Sequence, residues 1–265
     1  MNFEFPLVIF TVLTQFAVGL ALFAVFKHAG CCTSSARACQ EDTVAKSTTW
    51  KYVFLLSCAG LVASFFHLGQ PLRAIEALGA FAASWLSREV LFLAIFTLLA
   101  LVNIFRQNCC LVVLTAVCGV AGLVAQGMTY APISMPAVAN GVPMLIFLLS
   151  ALALGAAAGQ VKQSRDLGTA FRMACAALVA VLLIAPCIWT SGGGSVMRDS
   201  AMLWMHSWMF WLGLGLIVAA LVASLRSGVA AAAPTLGLVL CGVVLTRIVF
   251  FSGTVHTAVN LGMPY

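Results

Sequence analysis

The residues of this chain equipped to do chemistry are few and fall close together. His67, Arg73, Arg88, Glu89, His206, Arg247 and His256 all lie within or beside long apolar stretches. An ionisable group in such a stretch is costly to bury and is a functional candidate by default. The segment His67-Leu68-Gly69-Gln70-Pro71-Leu72-Arg73 sets a base at the end of one apolar run, where Gly69 and Pro71 stop a helix. Arg88 and Glu89 open the next run; Arg247 lies in the last one, which ends near His256. A base, a carboxylate and arginines at one membrane face suit a small apolar ligand that gives up protons. A quinol fits, with two hydroxyls to hydrogen-bond and a tail that stays in lipid. His67 accepts a hydroxyl proton near neutral pH, and Glu89 passes it on to water.

Each residue also has a plainer role open to it. His67 can bond a carbonyl at a helix end. Glu89 can be a first-turn acid favoured by the helix dipole, with Arg88 its solvated neighbour. Arg73 can snorkel to headgroups. His206 and His256 stand outside any motif and read better as structural. Arg247 admits less, because a buried guanidinium calls for a carboxylate or ligand beside it.

These residues must be positioned by membrane helices. Of 265 residues, 63% are hydrophobic and only 8% charged, against about 25% charged in a soluble domain. Such a chain has too little polar surface for water. The apolar runs are long and continuous, which selects helices over a barrel. Eight spans follow, at about 7–26, 51–68, 87–105, 109–130, 142–160, 170–190, 202–224 and 234–255, each long enough for a core of about 30 Å. The expected fold is all-α, one integral membrane domain over residues 1–265, with Ser191 to Ser195 a flexible loop. The start of the chain, with Glu4 and no basic region, reads as a retained first helix rather than a signal peptide.

The net charge of +6 does not point to nucleic acid, because the basic residues sit in short loops. Nine of the 13 Lys and Arg lie in the first, third, fifth and seventh loops and three on the opposite side. That bias puts the odd loops in the cytoplasm and both termini outside, on the periplasmic side of a Gram-negative cytoplasmic (inner) membrane. Trp85, Trp189, Trp204, Trp208 and Trp211 gather at the outer side, which suits a contact surface or simple packing. Most of the ten cysteines fall in apolar spans and act as small hydrophobes. Cys31, Cys32 and Cys39 share one loop, match no zinc spacing, and read as free thiols.

The segment His67-Leu68-Gly69-x-Pro71-x-Arg73, followed by Leu86-Ser87-Arg88-Glu89, resembles the signature of the membrane anchor subunits of the dimethyl sulfoxide reductase family. Pro6-Leu7-Val8-Ile9-Phe10-Thr11-Val12 and Arg247-Ile248-Val249-Phe250-Phe251 with His256-Thr257 are also similar. The resemblance implies an eight-helix anchor that oxidises menaquinol and passes electrons to an iron–sulfur subunit, itself joined to a molybdopterin catalytic subunit. It implies quinol-binding roles for His67 and Glu89, and no haem or metal in this chain; the residues themselves add Arg73 and Arg247 as quinol-site members that steady the local charge. The cysteines between Gly30 and Gln40 depart from the family pattern. The loops around Leu72 to Ser84 and Ser191 to Ala201 are the expected contacts with the iron–sulfur subunit. Two rival readings are a haem b anchor, in which His67 pairs with His206 or His256, and a small-solute transporter. A transporter places its polar residues and broken helices near mid-membrane, whereas these are peripheral.

Overall fold

A computed structural model describes residues 4–31, 36–66, 78–106, 108–161, 167–192, 194–226 and 232–257, with backbone only for 26–31, 36–46 and 226. The described residues form nine α-helices, one 3-10 turn at Leu78–Ala80 and no strand. The helices are α1 (Phe5–Cys31), α2 (Ala36–Phe65), α3 (Trp85–Phe105), α4 (Cys109–Thr129), α5 (Val142–Val161), α6 (Leu167–Gly192), α7 (Ser195–His206), α8 (Trp208–Arg226) and α9 (Ala232–Gly253). Eight of them, all but α7, carry a window long and apolar enough to cross a membrane.

Polar caps set several of the helix starts. The Ser84 side chain accepts from the Ser87 amide at the head of α3, and Asn108 accepts from Leu111 at the head of α4. These caps satisfy donors that have no partner inside the first turn. Asn140 does the same for Val142, and Pro143 follows at the first turn of α5, where its missing N–H costs nothing.

Helix α1 is the axis of the bundle, packed against α2, α4, α5 and α9. Small residues allow its closest approach. A methyl group at Gly19 would collide with the Ala151 carbonyl of α5, and one at Gly155 would collide with Gly19. Gly213 of α8 and Gly242 of α9 repeat the arrangement. Backbone contact of this kind is how helices associate in lipid, where apolar burial between helices brings little.

Three expectations change. The Lys27–Trp50 loop is shorter, since α1 runs on to Cys31 and α2 begins at Ala36. The Ser191–Ser195 loop is also short, because α6 reaches Gly192 and α7 begins at Ser195. The seventh span, expected at 202–224, is broken at Ser207, which is extended (φ −76°, ψ 120°) between α7 and α8. At 12 residues, α7 is about 18 Å long and cannot cross the bilayer. Nothing in the local sequence marks the break, since Ala201 to Trp211 lacks Gly and Pro. Tertiary contacts set it: Trp204 packs edge-on against Trp189 at 4.9 Å, and the Trp211 indole N–H donates to the Met205 carbonyl freed there (2.7 Å).

Candidate functional site

The polar interior of the bundle is one hydrogen-bonded chain built from four helices. On α9 the Arg247 Nη2 donates to Gln15 Oε1 of α1 at 2.9 Å. Gln15 Nε2 donates to Gln126 Oε1 of α4 at 3.3 Å. Gln126 Nε2 then donates to Glu89 Oε1 of α3 at 3.1 Å, and to the Thr14 hydroxyl at 3.3 Å. All five residues are at most 1% exposed. A further weak contact joins Arg247 Nη2 to the Ser150 hydroxyl of α5 at 3.4 Å.

The helix positions give the chain its depth. Glu89 lies four residues past Trp85 at the head of α3, and Gln126 three residues before the end of α4. At 1.5 Å per residue these are about 6 Å and 5 Å from their helix ends. Arg247, six residues before Gly253, is about 9 Å in; Gln15, ten residues past Phe5, is about 15 Å in. Consecutive spans alternate in direction, so these ends share one face of the bundle. The hydrogen-bonded chain runs inward from that face.

Apolar rings close over the cation. The Arg247 guanidinium stands 4.0 Å from the centre of the Phe147 ring and 5.6 Å from that of Phe250. Tyr130, at the end of α4, packs edge-on to Phe251 at 5.2 Å, within electrostatic reach of both Glu89 and Arg247. Cation–π contact helps hold a desolvated guanidinium. Glu89 Oε2, Arg247 Nε and Arg247 Nη1 are buried and have no hydrogen-bond partner among the described residues.

The structure thus joins two of the four expected site residues, Glu89 and Arg247. His67 and Arg73 lie outside the described residues. Two expectations are corrected. The plainer role of Glu89 as a first-turn acid fails, because it stands beyond the first turn of α3 and is fully buried. The immediate partner of Arg247 is an amide oxygen rather than a carboxylate, and two glutamines lie between Arg247 and Glu89. Arg88 is half-buried and staples the preceding turn, donating to the Phe81 and Ala82 carbonyls at 3.0 and 2.7 Å with Trp85 beneath it. His206 and His256 are exposed. One ring nitrogen of His206 turns back on the Met202 carbonyl at 2.8 Å.

Gln15, Gln126, Ser150 and Thr14 join the site although none is among the residues that charge, imidazole or cysteine chemistry singles out. The signal was present: two glutamines stand inside otherwise apolar spans, where an amide needs a partner as much as a charge does. The tryptophans divide. Trp189 and Trp204 are packing residues, 1% exposed, whereas Trp85, Trp208 and Trp211 remain exposed at the same end.

Comparison with known proteins bears on which family uses this interior. The protein is 35% identical over 101 residues to an anaerobic dimethyl sulfoxide reductase chain of Haemophilus influenzae, covering 37% of this protein and 33% of that one. It is 38% identical over 87 residues to the anaerobic dimethyl sulfoxide reductase chain YnfH of Escherichia coli, covering 33% and 28%. A 41-residue stretch is 61% identical to a sulfite dehydrogenase subunit of Allochromatium vinosum, covering 16% and 13%. Each matched stretch thus spans about a third or less of the relative's length. The family profile reaches much further, matching residues 1–251. With eight apolar spans and this match along nearly its whole length, the protein belongs to the DMSO reductase anchor subunit (DmsC) family.

Proposed function

We propose that this multi-pass membrane anchor oxidises menaquinol near the outer face of a bacterial cytoplasmic membrane. It passes the electrons to an iron–sulfur subunit that serves a molybdopterin catalytic subunit. The observation that carries the reading is Glu89, a fully buried carboxyl wired to Arg247 in an otherwise apolar interior. Intramembrane acids with a named partner serve proton or ligand traffic far more often than packing. The relatives' names attach to two terminal reactions, one a dimethyl sulfoxide reductase and one a sulfite dehydrogenase. That variety suits an anchor whose own step is the one in the membrane.

In this reading a quinol hydroxyl donates to His67, Glu89 relays protons outward, and Arg73 and Arg247 steady the local charge. The partner subunit sits on the face where the polar chain begins, against the loops around Leu72 to Ser84 and Ser191 to Ala201. The nine-to-three distribution of Lys and Arg supports a periplasmic placement of that face. A variant keeping only Cys31, Cys32 and Cys39 tests the orientation: a membrane-impermeant thiol reagent should leave it unlabelled in intact cells, and ready labelling reverses the assignment. The function is tested by His67→Ala in membranes holding the whole complex. Quinol-driven turnover should fall about 10²–10⁴-fold, the usual contribution of a general base. The rate from a dye that reduces the partner subunits directly should persist. Equal retention of both rates removes His67 from the site.

A further inference from the structure

Hydrogen-bond logic fixes more of the interior than the distances alone. A guanidinium only donates. Gln15 must therefore turn its carbonyl oxygen to Arg247, which leaves its amide nitrogen facing Gln126 Oε1. Gln126 in turn has only its amide nitrogen left for Glu89 Oε1. The cation sets the sense of both side-chain amides, and every N–H along the way points from Arg247 towards Glu89. The Thr14 hydroxyl reinforces that sense, since it donates to the Phe10 carbonyl at 2.8 Å and accepts from Gln126 Nε2. The series ends by donating to Oε1 of Glu89. An O–H on that atom would meet an N–H head-on, so a proton on Glu89 belongs on Oε2, which has no partner within hydrogen-bond geometry among the described residues; the Thr129 hydroxyl stands beside the carboxyl but is spent on the Ala125 carbonyl at 2.9 Å.

We propose that Gln15 and Gln126 are positioning residues, a two-amide bridge that holds Glu89 by Oε1 against the Arg247 charge and leaves Oε2 to receive a quinol proton. The inference rests on the quinol-oxidising reading above and deepens it. In the step itself one quinol proton passes to Glu89, an O–H bond breaking as an Oε2–H bond forms; the second proton takes the His67 route of the proposed function, and the two electrons leave for the iron–sulfur acceptor. The bridge orients the accepting oxygen. Aligned amide dipoles also present their positive ends to the carboxylate and their negative ends to the guanidinium, so both charges are solvated by the protein itself. Tyr130 lies in electrostatic reach of Glu89, Glu4 and Arg247.

The test is a double-mutant cycle in membranes carrying the whole complex, with turnover from a menaquinol analogue normalised to dye-driven turnover. Gln126→Leu should lower the normalised kcat about 10- to 100-fold, the scale of a misplaced reacting group, with KM little changed. In a Glu89→Gln background the same change should have almost no further effect, because the bridge then has no proton acceptor to orient. A merely structural Gln126 would lower both backgrounds by the same factor, and that result overturns the bridge. If Glu89→Gln alone leaves the quinol-driven rate intact, the quinol-site reading of Glu89 falls and the bridge falls with it. If Glu89→Gln abolishes the rate while Gln126→Leu does not, only the bridge falls. Gln15→Leu guards against misassembly: loss of the dye-driven rate in both glutamine variants makes the pair a stability element and also overturns the proposal.

Discussion

Two clusters reach inward from the same end of the bundle and share a wall, Phe250, yet they are built on opposite principles. The chain from Glu89 through Gln126 and Gln15 to Arg247 is polar and leaves three buried polar atoms without a hydrogen-bond partner among the described residues. The cluster of Trp189, Trp204, Phe210 and Phe250 is aromatic, with ring centres 4.9 to 6.0 Å apart in edge-on or tilted pairs. Both are buried. The aromatic cluster gains from its ring contacts, by area and by quadrupole geometry, and leaves one buried polar atom, the Trp204 indole nitrogen, without a hydrogen-bond partner among the described residues. The polar chain loses hydration at each member and recovers it only while every link holds. A fold in need of packing alone would not build the second kind of cluster. The difference separates what holds α6, α7, α8 and α9 together from what α1, α3, α4 and α9 hold in place for chemistry.

That contrast breaks most sharply at Arg247. Arg247→Met leaves the Gln15 oxygen without its donor and the Glu89 charge without its counter-ion. The expected cost is about 3–5 kcal/mol, as for other buried pairs stripped of one member. It should appear as a lower midpoint for thermal unfolding of the complex in detergent, with quinol-driven turnover depressed beyond the dye-driven rate. Adding Glu89→Gln to Arg247→Met should recover much of the midpoint, since an uncharged pair needs no counter-ion, but none of the quinol-driven rate. If the double variant is no more stable than Arg247→Met, the two residues do not act as a bridged pair.

Trp204→Ala should do the reverse. Emptying a fully buried indole site costs about 3–5 kcal/mol by lost packing, so the midpoint falls. The ratio of quinol-driven to dye-driven rate in the complex that assembles should stay within about a factor of 2, because the ring partners of the indole are Trp189, Phe210 and Phe250. A ratio that drops as far as in the Arg247 variant would join the two clusters into one functional unit.

Much of the fold is legible in the sequence because lipid makes it so. Apolar runs of about 20 residues leave few alternatives to a helix, and Glu89 and Arg247 stand out as charges within or at the edge of such runs. The break at Ser207 is not legible, because Trp204, Trp189 and Phe250 that hold it come from three different helices. The long helical start of α2 is hidden for another reason. Its residues from Ala36 to Lys46 carry Arg37, Glu41, Asp42 and Lys46 and form no continuous apolar run. At the site, Arg247 announces that it needs a partner but not which one. Gln15 lies 232 positions away in the sequence, and only the close packing of α1 against α9 brings the two together.

The most direct measurement is the quinol-driven rate divided by the dye-driven rate in Glu89→Gln membranes. The substitution is isosteric and keeps an oxygen for the Gln126 N–H, so the hydrogen-bonded chain survives; losing the counter-charge of Arg247 lowers the unfolding midpoint, but the assembled complex lacks only the proton acceptor. With Glu89 as the proton acceptor, the quotient should be about 10²–10⁴-fold below that of the unaltered protein, with the dye-driven rate itself near normal. A quotient unchanged from the unaltered protein contradicts that role, and Glu89 would then be part of a structural network alone.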